Sequence, residues 1–238
     1  MTKILNPKQI IVALDYNSYE EANKLTRYLD PEKFRLKVGK QLYINEGPFI
    51  LDNFHNDGFE IFLDLKLHDI PNTVYKALKN IYGHGVWMSN IHLLGGKEMI
   101  KAAQKARLES KKEAFLVGVT ILTSLDETQL KQIGFKDKVP QIVKKLASEA
   151  KKALLDGVVC SAQEAKELKK TFGKDFVLVT PGIRINSQKG DQSRVTSLKD
   201  AVINGSDYLV LGREISEADD ILKTVSYTHL TLPTNRCV

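Results

Sequence analysis

The chain alternates between short, continuous apolar runs and longer stretches in which apolar residues recur with a helical period. Continuous runs rich in Val, Ile, Leu and Phe are typical of strands in a parallel sheet that is covered on both faces. The pattern therefore predicts eight parallel strands separated by amphipathic helices. The predicted strands are residues 10–14, 34–38, 60–65, 86–92, 114–119, 157–160, 176–180 and 207–211.

The stretches between the predicted strands carry helix start signals. Ser18 and Glu21 have the spacing of a capping box, in which two side chains cap each other's backbone N–H groups. The same spacing recurs at Ser161 and Glu164. Pro71 suits the first turn of a further helix, where a backbone N–H has no partner within the helix. These signals support a regular alternation of strands and helices.

The order of these elements predicts an α/β fold, a (β/α)8 TIM barrel in a single domain. The chain has 238 residues, which suits one such barrel. The competing architecture is an open doubly wound sheet, which would be expected to carry a glycine fingerprint after its first strand. Asp15-Tyr16-Asn17 stands at that position instead, so the closed barrel is favoured.

The final residues do not continue the pattern. Residues 226–238 contain poor helix formers, Pro233 and no amphipathic period, where an outer helix of the barrel is expected. We therefore predict a barrel domain over residues 1–225. The atypical tail over residues 226–238 is predicted to lie outside the native fold and is excluded from functional reasoning.

The charge balance favours a small anionic substrate. The chain has 35 Lys and Arg against 29 Asp and Glu, a formal net charge of +6, and a field of this sign attracts phosphate esters. Lysine doublets such as Lys144-Lys145 lack interleaved aromatic residues, which indicates solvated helix faces and not a nucleic-acid surface. No apolar run approaches a membrane span, no signal peptide is evident, and two cysteines make no disulfide framework or zinc site. We expect a cytoplasmic protein without a membrane or nucleic-acid partner.

Charged side chains collect where the predicted strands end, which is the active-site end of a (β/α)8 barrel. Asp64 and Lys66 are two residues apart, so regular strand alternation would project both to one face. Lys37 lies on the neighbouring predicted strand, close enough to join them. A carboxylate beside these lysines keeps Lys66 protonated, so that Lys66 can act as a general acid.

A phosphate site is predicted at the last two strands. The segment Pro181-Gly182-Ile183-Arg184 follows the seventh strand, and Leu211-Gly212-Arg213 ends the eighth. Loops at these strands commonly bind phosphate in such barrels, because a glycine lets backbone N–H groups approach the anion. The guanidinium of Arg213 would add a bidentate, charge-assisted contact.

These residues lie in motifs that resemble the orotidine 5′-phosphate decarboxylase family. The segment Asp64-Leu-Lys-Leu-His-Asp-Ile-Pro-Asn-Thr73 closely resembles the family's signature. The resemblance implies a homodimeric barrel that converts orotidine 5′-monophosphate to uridine 5′-monophosphate and CO₂, the last step of de novo pyrimidine synthesis, without metal or cofactor. Further similar segments are Val12-Ala-Leu-Asp15, Leu36-Lys-Val-Gly39, Val119-Thr-Ile-Leu-Thr123, Pro181-Gly-Ile-Arg184, Gly190-Asp-Gln192 and Leu211-Gly-Arg213.

The resemblance also implies a role for each matching residue. Lys66 corresponds to the proton donor to C6 of the pyrimidine, and Lys37, Asp64 and Asp69 complete a charged tetrad. Asp69 is expected to act in the site of the partner subunit. Loss of CO₂ leaves a carbanion at C6, which the protonated Lys66 stabilises and then protonates. The implied substrate-binding residues are Asp15, Lys37, Asp64, Thr73, Thr123, Arg184, Gln192, Gly212 and Arg213.

Two histidines and one loop complete these expectations. His92 is predicted to be a packed strand residue and not a catalyst, and His68 a supporting residue of the loop after the third strand. Residues 184–197, which include Gln192, are rich in Ser, Gln, Asp and Gly. They are predicted to form a mobile lid that closes on the phosphate and excludes water.

Two alternative functions are compatible with parts of the pattern. Sugar-phosphate lyases and decarboxylases resembling hexulose-phosphate synthase share the Asp-x-Lys-x-x-Asp spacing. They are expected to use Mg²⁺ with an acidic group where Lys37 stands, and a lysine repels a divalent cation. The second alternative is a non-catalytic, basic RNA-binding barrel. The charged cluster at the strand ends disfavours it, whereas RNA binding with a steep salt dependence would support it.

Overall fold

A computed structural model describes residues 8–110, 113–184 and 196–218 of the chain. The described strands are β1 (Ile10–Leu14), β2 (Phe34–Gly39), β3 (Ile61–Leu67), β4 (Met88–His92), β5 (Phe115–Val119), β6 (Gly157–Val159), β7 (Val177–Thr180), β8 (Ile183–Arg184), β9 (Thr196–Ser197) and β10 (Tyr208–Leu211). Eight of them close into a barrel in the order β1-β10-β7-β6-β5-β4-β3-β2, and each neighbouring pair is parallel. The predicted (β/α)8 fold is therefore confirmed.

Helices separate the barrel strands and cover the outside of the barrel. The described α-helices are α1 (Tyr19–Thr26), α2 (Lys40–Glu46), α3 (Phe49–Asn56), α4 (Pro71–Gly83), α5 (Gly96–Leu108), α6 (Glu127–Gln132), α7 (Val139–Lys152), α8 (Ala162–Phe172), α9 (Leu198–Ile203) and α10 (Arg213–Ser216). A single 3₁₀ turn over Leu93–Gly95 joins β4 to α5. No helix in the described part of the chain is long and apolar enough to cross a lipid bilayer.

The predicted helix caps form with one difference. The box at α8 is complete, since the Ser161 backbone N–H donates to the Glu164 carboxylate at 2.9 Å. At α1, Ser18 Oγ accepts from the Glu21 backbone N–H at 3.2 Å. The Glu21 carboxylate, however, accepts from the N–H of Asn17 at 3.1 Å. The return bond therefore lands one residue earlier than the sequence spacing suggests.

The apolar core has two parts. The larger part lies between the strands and the surrounding helices, and a smaller part fills the barrel interior. This division follows from the alternation of side chains along each strand, because successive residues point to opposite faces. The buried interior residues are Ile11, Ala13, Phe62, Met88, Val117, Val179 and Val210.

The amino end of the barrel is closed by an aromatic and cationic cluster. The Arg35 guanidinium lies 3.9 Å from the centroid of the Trp87 ring and pairs with Glu60 at 2.8 Å. Trp87 in turn contacts the ring of Tyr208 edge-on, with centroids 5.1 Å apart. Cation–π contacts of this kind stabilise a charge that is partly removed from water. With this end filled, space for a ligand is found at the carboxyl ends of the strands.

The predicted strand boundaries differ from the observed ones by at most two residues. The ends of the segment predicted as a lid, residues 184–197, belong to one short pair of strands, β8 and β9, that the sequence pattern did not indicate. Ile183 and Arg184 pair in parallel with Thr196 and Ser197, so the two ends of this segment meet. Gln192 and the predicted tail, residues 226–238, lie outside the described residues.

Candidate active site

A cavity of about 610 Å³ opens at the carboxyl ends of the barrel strands. Its volume lies in the range of sites that hold a small organic ligand. One wall carries the charged side chains of β2 and β3 and of Asp15 after β1, and the adjoining wall carries the segments after β7 and β10. Between them lies an apolar floor that the sequence analysis did not identify, formed by Phe62, Val119, Ile121, Val159 and Val210.

The charged wall is a chain of alternating charges. Lys37 Nζ lies 3.3 Å from Asp15 Oδ1 and 3.4 Å from Asp64 Oδ2. The other oxygen of the same carboxylate, Asp64 Oδ1, accepts from Lys66 Nζ at 2.7 Å. The sequence prediction that Lys37 joins Asp64 and Lys66 thus matches the geometry. Asp64 sits at the centre, with one lysine on each of its oxygens.

Burial and charge pairing have opposite effects on Asp64 and Lys37. Burial acts to lower the pKa of Lys37, but the carboxylates of Asp64 and Asp15 outweigh it and hold that pKa above its usual value. Burial likewise acts to raise the pKa of Asp64, whereas Lys37 and Lys66 hold it below its usual value. Both groups are consequently charged at neutral pH.

These two shifts define the pH window in which the pair stabilises the fold. The contribution of Asp64 is present above its unfolded pKa of about 3.9 and is lost as the pH falls through its lowered folded pKa. The contribution of Lys37 is present below its unfolded pKa of about 10.4 and is lost as the pH rises through its raised folded pKa. The pair therefore stabilises the barrel throughout the neutral range.

A bulge in β3 places Lys66. Leu63 pairs with Ser89 of β4, whereas the next register pair is Leu67 with Ile91. Three residues of β3 therefore face one residue of β4, which is Asn90. Lys66 has a left-handed backbone with φ of 51°, a conformation that non-glycine residues adopt at a cost and that often occurs at functional sites.

The bulge corrects one expectation from the sequence. Regular alternation was expected to bring Asp64 and Lys66 to one face, and their side chains do meet. They meet, however, across an interruption of the ladder that re-aims Lys66. Asn90, fully buried opposite the bulge, was not identified as part of the site. The signal for it was the polar pair Ser89-Asn90 within an otherwise apolar strand run.

His92 and His68 stack beside the charged wall, with ring centroids 5.4 Å apart. Burial, followed by the charges of His68, Lys40 and Lys66, lowers the pKa of His92 to about 4. His92 is therefore neutral at physiological pH. The stacking on His68 agrees with the sequence interpretation of His92 as a packed residue, and its lack of a catalytic role stays a prediction.

The lowered pKa of His92 predicts a loss of stability in mild acid. A folded-state pKa below the unfolded value of about 6.5 gives stability that is present above pH 6.5 and declines as the pH falls toward 4. We expect the urea midpoint of the wild type to fall between pH 7 and pH 5, and that of His92→Gln to fall less. His84→Gln, at the end of α4, is the control and should keep the wild-type decrease. Equal decreases in the wild type and His92→Gln would contradict the assignment.

The adjoining wall carries the predicted phosphate residues. Gly182 has φ of 75°, so this turn uses a backbone conformation that side chains disfavour. Gly212 and Arg213 line the same cavity, and Arg213 is the first residue of α10. Arg184 also lines the cavity, but its guanidinium lies 3.4 Å from the carboxylate of Glu214. The carboxylate of Glu214 therefore partly neutralises the positive charge of Arg184.

The structure brings most, but not all, predicted site residues together. Asp69 and Thr73 are exposed and lie outside this cavity. Asp69 Oδ1 accepts from the N–H of Ile70 at 2.6 Å, and Ile70 is 67% exposed. The predicted role of Asp69 in a partner's site remains a prediction. The predicted residues that line the cavity are Asp15, Lys37, Asp64, Lys66, Thr123, Arg184, Gly212 and Arg213.

The donor set of this cavity does not resemble a metal site. Within residues 8–110, 113–184 and 196–218 there is no group of three or more His, Cys, Asp or Glu side chains placed to hold a metal ion. The carboxylates of Asp15 and Asp64 instead contact the ammonium groups of lysines. These ammonium groups, which lie beside both carboxylates, oppose the approach of a divalent cation.

The fold and the cavity together define a (β/α)8-barrel enzyme. A family model described as Orotidine 5′-phosphate decarboxylase / HUMPS family matches residues 8–226, and the chain therefore belongs to this family. An orotidine 5′-phosphate decarboxylase of Marinomonas sp. (strain MWYL1) is 48% identical over 226 residues, which cover 94% of this chain and 96% of that protein. An orotidine 5′-phosphate decarboxylase of Shewanella sediminis (strain HAW-EB3) is 47% identical over 230 residues, covering 96% and 98%.

A solved structure gives the same result at the level of the fold. The crystal structure of orotidine 5′-phosphate decarboxylase from Lactobacillus acidophilus superimposes with a TM-score of 0.83 at 34% sequence identity. The match covers 95% of this chain and 100% of that chain. The predicted family is confirmed by both kinds of similarity.

Proposed function

We propose that this protein converts orotidine 5′-monophosphate to uridine 5′-monophosphate and CO₂ in the biosynthesis of uridine nucleotides. The observation that carries this proposal is the alternating series Asp15–Lys37–Asp64–Lys66 and a glycine–arginine turn beside it, all lining one cavity. Family membership supports the same reaction, since relatives that are 47–48% identical bear that name.

Lys66 is the proposed proton donor. When the bond between C6 and the carboxylate breaks, CO₂ leaves and its bonding electron pair stays on C6. The Nζ of Lys66 stabilises this carbanion and transfers one proton to it, which leaves a neutral amine that solvent reprotonates. Asp64, 2.7 Å from Nζ, holds the ammonium in place before the reaction.

The remaining residues are proposed to bind the substrate. Arg213, with the backbone at Gly212, supplies the positive end of the cavity for the 5′-phosphate. Asp15 and Lys37 hold the ribose, and Thr123 contacts the pyrimidine ring above the apolar floor. Binding energy from the phosphate, which does not react, can be used to position C6 next to the charged wall.

Asp69 is proposed to act across a homodimer, and Thr73 is proposed to bind the substrate. Both are exposed and follow the charged strand β3, beside the exposed apolar side chain of Ile70. In a symmetric dimer the same surface of each subunit would place Asp69 at the mouth of the other subunit's cavity. Asp69 would then complete the tetrad with Lys37, Asp64 and Lys66.

The reaction is proposed to need no metal. Two ammonium groups flank Asp64, and they supply the positive charge that a cation would otherwise provide. The test is release of CO₂ from orotidine 5′-monophosphate by the purified protein, with and without excess EDTA. Equal turnover in both conditions is expected. Turnover abolished by EDTA would favour the Mg²⁺-dependent alternative, and no turnover in either condition would overturn the proposed reaction.

Arg213→Ala is expected to weaken substrate binding with little change in stability. A charge-assisted contact to phosphate contributes about 1.5–3 kcal/mol, which corresponds to a rise in KM of about 10–10²-fold. Arg213 is exposed, so the thermal unfolding temperature should stay close to that of the wild type. Steady-state kinetics provide the measurement, with Lys199→Ala, an exposed lysine of α9, as control. An unchanged kcat/KM would remove Arg213 from the phosphate site.

A further inference from the structure

Asn90 occupies an unusual position in the barrel. It is fully buried in β4 and faces the bulge of β3, where one residue of β4 stands opposite three residues of β3. Its neighbours Ser89 and Ile91 keep regular register pairs with Leu63 and Leu67. The side chain of Asn90 therefore fills the gap that the bulge opens in the ladder.

Both ends of the Asn90 amide contact the charged wall. Asn90 Oδ1 accepts from the backbone N–H of Lys66 at 2.7 Å. Asn90 Nδ2 donates to Asp64 Oδ1, also at 2.7 Å. The orientation of the amide is fixed by chemistry, since a backbone N–H can only donate and an ionised carboxylate can only accept.

These two bonds act on the two groups that matter most for the proposed reaction. The bond to Lys66 supports a backbone conformation that a lysine does not favour by itself. The bond to Asp64 is added to the one from Lys66 Nζ on the same oxygen, so two donors prevent rotation of the carboxylate. The Asn90 side chain thereby fixes both the backbone from which the Lys66 side chain extends and the carboxylate that the Lys66 ammonium group contacts.

We propose that Asn90 is a positioning residue that holds Lys66 and Asp64 in the geometry required for proton transfer to C6. This inference rests on the proposed function. Asn90 itself lies behind Asp64 and does not line the cavity, so its effect is transmitted through these two residues. A displacement of the reacting group by about 1 Å can lower a rate by about 10²-fold.

The first test compares Asn90→Ala with Ser89→Ala. Ser89 is equally buried on the same strand, but its hydroxyl donates to the Leu63 carbonyl at 3.4 Å and does not touch the charged wall. We expect Asn90→Ala to lower kcat by about 10–10²-fold with KM changed by less than about threefold, because the phosphate contacts remain. Ser89→Ala should keep kcat near the wild-type value. Equal kcat in Asn90→Ala and wild type, or an equal loss in Ser89→Ala, would overturn the proposal.

Asn90→Asp retains the volume of the side chain and decides the matter if Asn90→Ala does not fold. At neutral pH it replaces the donor to Asp64 with a second carboxylate, and repulsion between the two carboxylates raises the pKa at which the pair binds one shared proton. Once that proton is bound, the Oδ–H of residue 90 can donate to Asp64 as the amide does. The kcat of this variant, relative to wild type at the same pH, should therefore rise as the pH falls, by up to about tenfold per unit.

The charged groups around Asp64 make this pH signature interpretable. Lys37 of β2 and Lys66 of β3 contact Asp64 directly, Asp15 after β1 contacts Lys37, and His92 of β4 is neutral above about pH 4. All of these groups are present in both the wild type and the variant. The ratio of the two kcat values at each pH therefore reports only the change at residue 90. A ratio that does not change with pH would contradict the positioning role.

The proposed function and this inference can fail separately. The wild type alone decides whether the protein decarboxylates orotidine 5′-monophosphate. If it does not, crystal structures of the wild type and Asn90→Ala still test the geometry. Retention of the left-handed Lys66 and of the contact between Lys66 Nζ and Asp64 in the variant would overturn the inference.

Discussion

Replacing Lys66 with alanine is expected to lower kcat by at least about 10²–10⁴-fold, with the protein still folded. The ammonium of Lys66 is the group that we assign to the carbanion at C6, and a bulge and Asp64 hold it in place. The Lys66 side chain is 31% exposed at the cavity wall, so its removal does not leave a sealed cavity in the core. CO₂ release at saturating substrate and thermal unfolding are the two measurements.

Lys166→Ala is the control for Lys66→Ala, because Lys166 is an exposed lysine of α8 that is outside the cavity. It should retain the wild-type kcat. Near-wild-type turnover of Lys66→Ala would exclude Lys66 as the proton donor.

The same variant can test the contribution of Asp69 across a dimer. Lys66→Ala and Asp69→Ala chains are each expected to be impaired, but a mixed dimer contains one site with both residues intact. Random reassortment in an equal mixture should restore about a quarter of the wild-type activity. No recovery after verified subunit exchange would place Asp69 outside the partner's site.

The sequence predicted the barrel well because its strands are buried on both faces. Runs such as Ile10–Leu14 are continuously apolar, and helix caps such as Ser161 mark the elements between them. Parallel strands joined by helices leave few arrangements, and the pairing of β2 with β3 then brings Lys37 next to Asp64. The fold and the charged wall thus follow from local patterns together with one topological rule.

The bulge at Lys66 could not be predicted in this way. The spacing of Asp64 and Lys66 fits a regular strand, and nothing in that spacing indicates that three residues of β3 face Asn90 alone. Register depends on contacts between strands that are distant in sequence. The pairing of Arg184 with Glu214 is similar, because it joins the segments after β7 and β10, which are neighbouring strands but distant in sequence.

Asp64→Asn is expected to damage both stability and catalysis. The Asp64 side chain is 11% exposed and neutralises two lysines, one on each carboxylate oxygen. Removing one member of a buried ion pair leaves uncompensated charge, and the free energy of unfolding should fall by about 3–5 kcal/mol. Because Lys66 also loses the charge that holds it, kcat should fall by about 10²–10³-fold. Urea unfolding and steady-state kinetics on the same preparation measure the two effects.

A variant of a second ion pair, at the other end of the barrel, distinguishes the effect on stability from the effect on catalysis. Asp156 pairs with Arg107 at 2.8 Å and accepts from the Leu116 N–H at 2.8 Å. Asp156→Asn should therefore also destabilise the fold but retain kcat.

In the double variant Lys37→Met/Asp64→Asn the loss of stability should be smaller than the sum of the single losses, because one of the unpaired charges is removed together with its partner. Additive losses would show that Lys37 and Asp64 are not coupled. An unchanged kcat in Asp64→Asn would show that the carboxylate does not hold Lys66 for proton transfer.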